Sequence, residues 1–309
     1  MSYLSIIFLQ IVAPILILLI IGALLQKKFT FNLKALSQLI TYCFMPVAVL
    51  MNLYETKVNM SVLAQVAFFI VLFIGSQMII SQFIAKLLKL NRTESAVFKN
   101  SVVLINSGNY GIPVAQLVFH SQPIGVAIQV ILVIFQNITT YTYGLYNLIS
   151  ATKSGIEIVK DLFKMPIVHA LVIGIILNVW NITLPETVEI PLNHIAEGFI
   201  AIALITLGAQ LSQIEIRTIV NKTILISCFT RLVVGPLCAL FVIWILGLHG
   251  VVAQSLFIAS SFPTSRNSSS LALEYDVESN IAAQTVLFST IVSCLTVTVV
   301  IYLSTIFFV

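Results

Sequence analysis

The chain has 309 residues, of which 59% are hydrophobic and only 8% are charged, and its formal net charge is +4. An ordinary soluble domain carries about 25% charged residues, and a water-soluble fold of this composition would expose apolar patches larger than soluble monomers tolerate. The composition therefore excludes a soluble protein and predicts an integral membrane protein, with room for about ten spans, short loops and no separate catalytic domain.

Uncharged runs of helical length predict ten transmembrane helices. They cover residues 5–25, 35–53, 61–85, 94–119, 123–149, 165–182, 194–212, 220–247, 250–273 and 280–306. Continuously apolar stretches such as Ile15 to Ile21 lack the alternation of a membrane β-barrel, so the predicted fold class is all-α. Residues 1–4 carry no basic cluster, which predicts that the first run stays as a span and is not cleaved as a secretory signal.

Basic residues gather on one side of the membrane when the predicted spans are placed in order. Twelve fall on that side, namely Lys27, Lys28, Lys34, Lys86, Lys89, Arg92, Lys99, Lys153, Lys160, Lys164, Arg217 and Lys222. Only Lys57 falls on the other side, so the positive-inside rule puts the basic side in the cytoplasm and both termini outside the cytoplasm. We expect a multi-pass protein of the cell membrane, that is, an inner or plasma membrane.

The charged connection at residues 151–164 divides the predicted spans into two sets of five. A shift of 155 residues keeps the five pairs of spans in phase and lays Gly108 on Pro263. Each half has an odd number of spans, so the second half inserts upside down relative to the first. This inverted repeat is the architecture of many secondary transporters, whose sites lie at the midplane where interrupted helices meet.

Two polar stretches interrupt the fourth and ninth predicted spans near their middles. They are residues 106–113, with the sequence NSGNYGIP, and residues 260–270, with the sequence SSFPTSRNSSS. Proline removes a helical donor, glycine tolerates non-helical backbone, and Asn and Ser cap a restarted helix, so both stretches predict broken helices that cross at the midplane. A proline kink lined with small packing residues is the alternative for either stretch alone, and their pairing favours a shared site.

The charge near the breaks predicts an anionic ligand. Both restarted helices begin at the midplane, so their N-terminal amide donors point at the centre. Arg231 and Arg266 lie deep in the spans and no acidic residue lies comparably deep, which argues for an anion over a cation. We expect Arg266 to hold a carboxylate through two hydrogen bonds, with Asn109 and Asn267 donating amides beside it.

Several of these polar residues also have a structural interpretation. Arg266 is alternatively a snorkelling side chain or a donor to backbone carbonyls in the break, and Arg231 fits a structural partner as well as a ligand. The flanking spans carry five further polar positions, each alone more typical of a helix-to-helix hydrogen bond: Asn106, Gln136, Asn137, Gln284 and Ser289. The candidates for substrate binding or ion coupling among all these residues are Asn106, Arg231, Asn137 and Gln284.

The remaining chemistry-bearing residues predict no metal, cofactor or catalytic site. The four histidines lie near span ends and the four cysteines lack a Cys-x-x-Cys spacing. An intramembrane enzyme would be an alternative function, but the deep serines of the second break have no histidine at their depth that could act as the base. The sequence has no phosphate-binding loop, so we expect no nucleotide-driven transport. A nucleic-acid partner is not expected either.

Four short motifs carry a family resemblance. They are the Gly-Asn-x-Gly-x-Pro core ending at Pro113, Phe262-Pro263-Thr264, Leu271-Ala272-x-Glu274-Tyr275 and Ala282-Ala283-Gln284. Together with the chain length and the ten-span plan, they resemble the auxin efflux carrier family. That family includes plant auxin exporters and bacterial organic-acid permeases often described as malate or malonate carriers.

The resemblance implies two structural parts. A scaffold would contain helices 1–2, residues 1–58, and helices 6–7, residues 165–215. A mobile transport domain would contain helices 3–5, residues 59–150, and helices 8–10, residues 216–309, with residues 151–164 as the cytoplasmic connection. The resemblance also implies dimerisation through the scaffold, and it places the family's functional asparagine on Asn109.

The sequence thus predicts a secondary transporter of a small organic anion, such as malate or malonate, that works by alternating access. The predicted substrate-binding residues are Asn109, Gly111, Pro113, Pro263, Thr264, Arg266 and Asn267. The short central loop and Arg266 favour a bacterial carboxylate carrier over an auxin carrier. A passive channel and a carrier for an auxin-like aromatic acid remain the alternatives, and a proton or sodium ion is the candidate coupling ion. The expected partners are this anion, the lipid bilayer and a second copy of the chain.

Overall fold

The computed structural model describes residues 8–55, 60–149, 166–213 and 221–308. Within these ranges the regular elements are helical, apart from an isolated β-bridge between Ile105 and Thr264. The predicted connection at 151–164 lies outside the described residues, and so do Lys57 and Arg217 of the orientation argument.

The described helices before residue 150 alternate α-helix with short π-helical segments. They are π1 (Phe8–Val12), α1 (Ala13–Phe29), α2 (Leu33–Leu39), π2 (Ile40–Phe44), α3 (Met45–Glu55), α4 (Met60–Leu87), α5 (Arg92–Val103), π3 (Ser107–Gly111), α6 (Ile112–Val118), α7 (Pro123–Thr139), π4 (Thr140–Gly144) and α8 (Leu145–Ile149).

The described helices after residue 165 are α-helical, with one π-helical segment among them. They are α9 (Pro166–Val179), α10 (Glu186–Leu211), α11 (Lys222–Phe229), π5 (Thr230–Val234), α12 (Gly235–Leu246), α13 (Gly250–Ser260), α14 (Arg266–Glu274) and α15 (Ser279–Phe307).

Six helical stretches of the described residues are long and apolar enough to cross a membrane. They cover Leu33–Glu55, Val62–Leu87, Pro123–Leu148, Glu186–Leu211, Lys222–Leu246 and Ser279–Phe307. In three of them a π segment joins two α-helices into one continuous rod. The chain is therefore a multi-pass helical membrane protein. The count of ten spans and the inverted repeat stay predictions.

One boundary of the predicted spans is wrong. The seventh span was predicted to begin at residue 194, whereas α10 begins at Glu186 and continues through Pro191. Its first turn carries Glu186 and Glu189, which the helix dipole favours there although they weaken the apolar pattern. The helix ends follow the shift of 155 to within two residues: α5 ends at 103 and α13 at 260, a difference of 157, while α2 and α10 begin at 33 and 186, a difference of 153. Connections between helices tolerate such insertions and deletions.

Glycines let two pairs of helices approach closely. α1 packs on α10, where a Cβ on Gly22 would lie 1.9 Å from the Ile205 carbonyl oxygen and one on Gly208 would lie 2.0 Å from that of Leu19. α9 packs on α3 in the same way, with Gly174 against Leu53. Small residues at such contacts are typical of helix packing in membranes.

The largest buried apolar cluster surrounds the pieces of the interrupted helices. It joins Phe69 of α4, Val114 of α6, Leu132 of α7, Phe257 of α13 and Val297 of α15, each with at most 4% of its surface exposed. The cluster holds α6 and α13 in the interior, so the polar residues that separate the helical pieces lie inside the protein.

Candidate functional site

Two interrupted helices meet through the isolated β-bridge. α5 ends at Val103 and helical backbone resumes at Ser107, while α13 ends at Ser260 and α14 begins at Arg266. The backbone N–H of Asn106 donates to the Pro263 carbonyl at 2.9 Å, and the N–H of Ser265 donates to the Leu104 carbonyl at 2.7 Å. The extended residues of the two interruptions thus form backbone hydrogen bonds with each other, because buried N–H and C=O groups need partners.

Local chemistry explains why helix stops at the second interruption. Pro263 has no N–H to donate, and Ser265 caps the next helix, its Oγ accepting from the Asn267 N–H at 3.2 Å. Between them Thr264 is fully buried, with its Oγ1 donating to the Ser101 carbonyl at 2.8 Å and its N–H donating to the Ser289 Oγ at 3.2 Å. A backbone carbonyl of α5 and a side chain of α15 therefore hold the extended residue Thr264 in place.

A cavity of about 160 Å³ lies beside the bridge. It is bounded by α2, π2, α3, the first interruption, α7, α9 and the start of α14. Its lining residues are Ser37, Thr41, Met45, Ile105, Asn106, Ser107, Gly108, Asn109, Val133, Gln136, Asn137, Pro166, Ile167, Ser265, Arg266 and Asn267. We call this space the central cavity.

The central cavity is lined by hydrogen-bond donors, two of which have no protein partner. Asn106 and Ser107 are 5% and 1% exposed, yet the Asn106 Nδ2 and the Ser107 Oγ make no hydrogen bond to the described residues. A buried polar group without a partner is costly, so these two atoms mark a place for a polar ligand or ordered water.

Arg266 is half-buried in the wall of the central cavity, and its guanidinium makes one long hydrogen bond to the described residues. Its Nη1 donates to the Ser37 Oγ across a long 3.5 Å, and that hydroxyl also accepts from the Gln210 Nε2 at 2.8 Å. Among the side chains that the structure describes, no carboxylate lies within 4.0 Å of Arg266. The guanidinium therefore brings an uncompensated positive charge and several donors to the cavity.

The structure brings part of the predicted site together. Of the predicted residues, the central cavity is lined by Asn106, Asn109, Asn137, Arg266 and Asn267. The remaining predicted residues lie in the surrounding packing and do not line it: Gly111, Pro113, Pro263, Thr264, Arg231 and Gln284.

Among those outside the lining, Gly111 and Arg231 have identifiable packing roles. A Cβ on Gly111 would lie 2.5 Å from the Phe262 ring, so glycine permits the two interruptions to approach. Arg231 is fully buried, with Nη1 donating to the Val102 carbonyl at 2.8 Å and Nη2 donating to the Ser260 carbonyl. Arg231 therefore donates to backbone carbonyls at the interruption. This arrangement was the alternative interpretation of Arg266.

The sequence analysis did not single out two hydroxyls on the rod formed by α2, π2 and α3. Ser37 of α2 and Thr41 of π2 line the central cavity one helical turn apart. Their spacing of four residues, continued by Met45, is the signal that would have placed them on one face. The structure adds that Thr41 lies in a π segment, and such bulges are frequent at functional sites.

Comparisons with known proteins point to a family. A family model described as membrane transport protein matches residues 7–161 and 150–301. An uncharacterized transporter of Methanothermobacter thermautotrophicus is 26% identical over 196 residues, which is 62% of this chain. The alignment spans 63% of that relative's length.

Proposed function

Because the chain belongs to the membrane transport protein family, the auxin efflux carrier family to which its motifs point, we propose that it is a secondary transporter of a small organic anion. The observation that carries this proposal is the central cavity. Amides, hydroxyls and one guanidinium face it, and no acidic residue is among its described lining residues. Such donors favour a carboxylate over a cation or a neutral solute.

The proposed contacts follow from the unused donors. Arg266 pairs with a substrate carboxylate through its fork of N–H groups, and the Asn106 and Ser107 donors take up further oxygens. Asn109 and Asn267 complete the first set of contacts from the two interruptions, and Asn137 contributes from α7. The backbone around Gly111, Pro113, Pro263 and Thr264 shapes the cavity in this proposal, and Gln284 remains a candidate for ion coupling.

The size of the central cavity favours a small acid. Its volume is about 160 Å³. Sites for drug-sized ligands have about 300–1,000 Å³. A compact mono- or dicarboxylate such as malonate or malate therefore suits this cavity better than an auxin-like aromatic acid.

The proposed membrane arrangement is a ten-helix inverted repeat in the cell membrane with both termini outside the cytoplasm. The grouping of the described helices supports it, because five rods or interrupted rods precede residue 150 and five follow residue 165. In this arrangement the interrupted pairs α5 with π3–α6, and α13 with α14, are the fourth and ninth helices, which cross at the midplane.

Alternating access requires a moving part and a fixed part. The close packing of α1 on α10 and of α3 on α9 supports a scaffold made of these helices, and a homodimer through that scaffold is part of the proposal. The central cavity lies where the rod of α2, π2 and α3 meets the interruptions, since Ser37 and Thr41 of that rod line it together with Asn109 and Arg266. Motion of the transport domain against the scaffold, driven by a coupled proton or sodium ion, would open this cavity to each side in turn.

Uptake by purified protein in liposomes tests the proposal. A panel of labelled acids that includes malonate and malate is offered to the wild type and to Arg266→Ala, Asn109→Ala and Arg92→Ala. We expect uptake of at least one acid by the wild type, and a loss of at least about tenfold in Arg266→Ala and Asn109→Ala. Arg92 lies at the exposed start of α5, so Arg92→Ala is the matched control and should retain wild-type uptake.

Two results would overturn the proposal in different ways. Wild-type rates in the folded Arg266→Ala and Asn109→Ala proteins would reject the site. Flux that no imposed gradient of protons, sodium or substrate drives uphill would reject a secondary transporter in favour of a passive channel.

A further inference from the structure

Arg231 is a fully buried cation whose partners are backbone carbonyls. It lies in π5, and its guanidinium donates to the carbonyls of Val102 and Ser260. Among the side chains that the structure describes, no carboxylate lies within 4.0 Å of it, and it does not line the central cavity. A buried charge of this kind is costly unless something compensates it.

Two helix ends supply that compensation. Val102 is the penultimate residue of α5 and Ser260 is the last residue of α13, so both accepting carbonyls belong to C-terminal turns. The C-terminus of a helix carries about half a negative charge. Two such ends together match the single positive charge of one guanidinium.

The surrounding residues are shaped to hold this guanidinium in place. Its Cζ lies 5.7 Å from the centroid of the Phe73 ring on α4, within range of a cation–π interaction. On the next turn, a Cβ on Gly235 would lie 3.0 Å from Nη2 and 3.3 Å from the Ser260 carbonyl oxygen. A side chain at position 235 would therefore press on both the guanidinium and its acceptor.

The placement of Arg231 has an electrostatic consequence for the crossing. Four helix ends meet there, the C-terminal ends of α5 and α13 and the N-terminal ends of π3–α6 and α14. Without a cation, the negative C-terminal ends would offset the positive N-terminal ends. We propose that Arg231, by neutralising the two C-terminal ends, is the positioning residue that leaves the central cavity electropositive and so sets its preference for anions.

This inference rests on the proposed function, because it explains why a carrier with this cavity would take an anion. It is tested without any transported substrate, by the reactivity of one cysteine at the cavity. The native cysteines Cys43, Cys228, Cys238 and Cys294 are replaced by alanine. Thr41, which is exposed and lines the cavity, is then replaced by cysteine, and the protein is treated in detergent with an anionic and a cationic methanethiosulfonate reagent.

The ratio of the anionic to the cationic reaction rate reports the local potential. We expect Arg231→Met to lower this ratio at least about fivefold at position 41, since one unit charge in a low-dielectric interior is removed. Arg231→Lys, which keeps the charge, should stay within about twofold of the parent. A Thr93→Cys protein is the matched control, because Thr93 is exposed at the start of α5 and its ratio should not respond to Arg231.

An unchanged ratio at position 41 in a folded Arg231→Met protein would overturn the inference, as would an equal fall in Arg231→Lys. If Arg231→Met does not fold, Arg231→Gln carries the same test, since its amide still donates to a carbonyl while the charge is gone. Failure of acid uptake in liposomes would leave this ratio unaffected, so the two proposals fail separately.

Discussion

One methyl group on Gly208 tests the packing of α1 against α10. A Cβ there would lie 2.0 Å from the Leu19 carbonyl oxygen and 2.6 Å from its carbonyl carbon, whereas ordinary contact begins at 3.4 Å. In Gly208→Ala the two backbones must separate by about 1.4 Å, the difference between 3.4 and 2.0 Å. Overpacking costs about 1–3 kcal/mol, and because backbone meets backbone here we expect about 3 kcal/mol of destabilisation.

Thermal unfolding of the purified protein in detergent measures this loss. For a chain of 309 residues, a destabilisation of about 3 kcal/mol corresponds to a fall in Tm of about 5 °C. Gly75→Ala on α4 is the matched control, since a Cβ there has no neighbour within 4 Å and alanine favours helix by up to about 1 kcal/mol. An unchanged Tm in Gly208→Ala would refute the close approach of α1 and α10.

Three further predictions concern the interruptions. Ser265→Ala removes the cap on the Asn267 N–H and should cost about 1 kcal/mol, a loss of about 1.5 °C in Tm, and an unchanged Tm would contradict the cap. Thr264→Val removes a buried donor to the Ser101 carbonyl and should cost about 1–3 kcal/mol by the same measurement, with Thr264→Ser as the control that keeps the hydroxyl. Asn106→Asp places a negative charge in the central cavity and should reduce acid uptake at least about tenfold, whereas undiminished uptake would argue against an anion beside this residue.

The chemistry of the interruptions is local and could be predicted from the sequence. Pro263 lacks an N–H and Ser265 is a good N-cap, and both facts hold whatever else the chain does. The helix stops between Ser260 and Arg266, within the stretch that the sequence singled out. The polar neighbours Asn109, Arg266 and Asn267 were predicted as one site for the same reason, and they line one cavity.

The role of Arg231 could not be predicted because its partners are distant in the chain. The Val102 carbonyl is 129 residues away and the Ser260 carbonyl is 29 residues away, and backbone carbonyls have no identity in a sequence pattern. Ser37 was missed for a related reason. An isolated serine in a long helix is typical of a local bond to its own backbone, which Ser37 makes to Leu33, and only the fold brings Gln210 and Arg266 to the same oxygen.

The start of α10 shows a different limit of sequence patterns. The apolar criterion measures which residues suit hydrocarbon, whereas a helix extends as far as its backbone can continue. Glu186 and Glu189 reduce the apolar score of the first turn, although an acidic first turn stabilises a helix. The predicted span therefore began eight residues late, at 194 instead of 186.

Binding of an anion in the central cavity is tested most directly by pairs of acids and their neutral amides. Malonate with malonamide, and malate with its diamide, are added to the purified wild type and to Arg266→Gln, and thermal unfolding is recorded, since a ligand that binds only the folded state raises the apparent stability. We predict that at least one acid raises the Tm of the wild type by more than its amide does, and that Arg266→Gln loses this difference. An amide that stabilises as strongly as its acid, or an acid effect that persists in Arg266→Gln, would contradict an anion site built on Arg266.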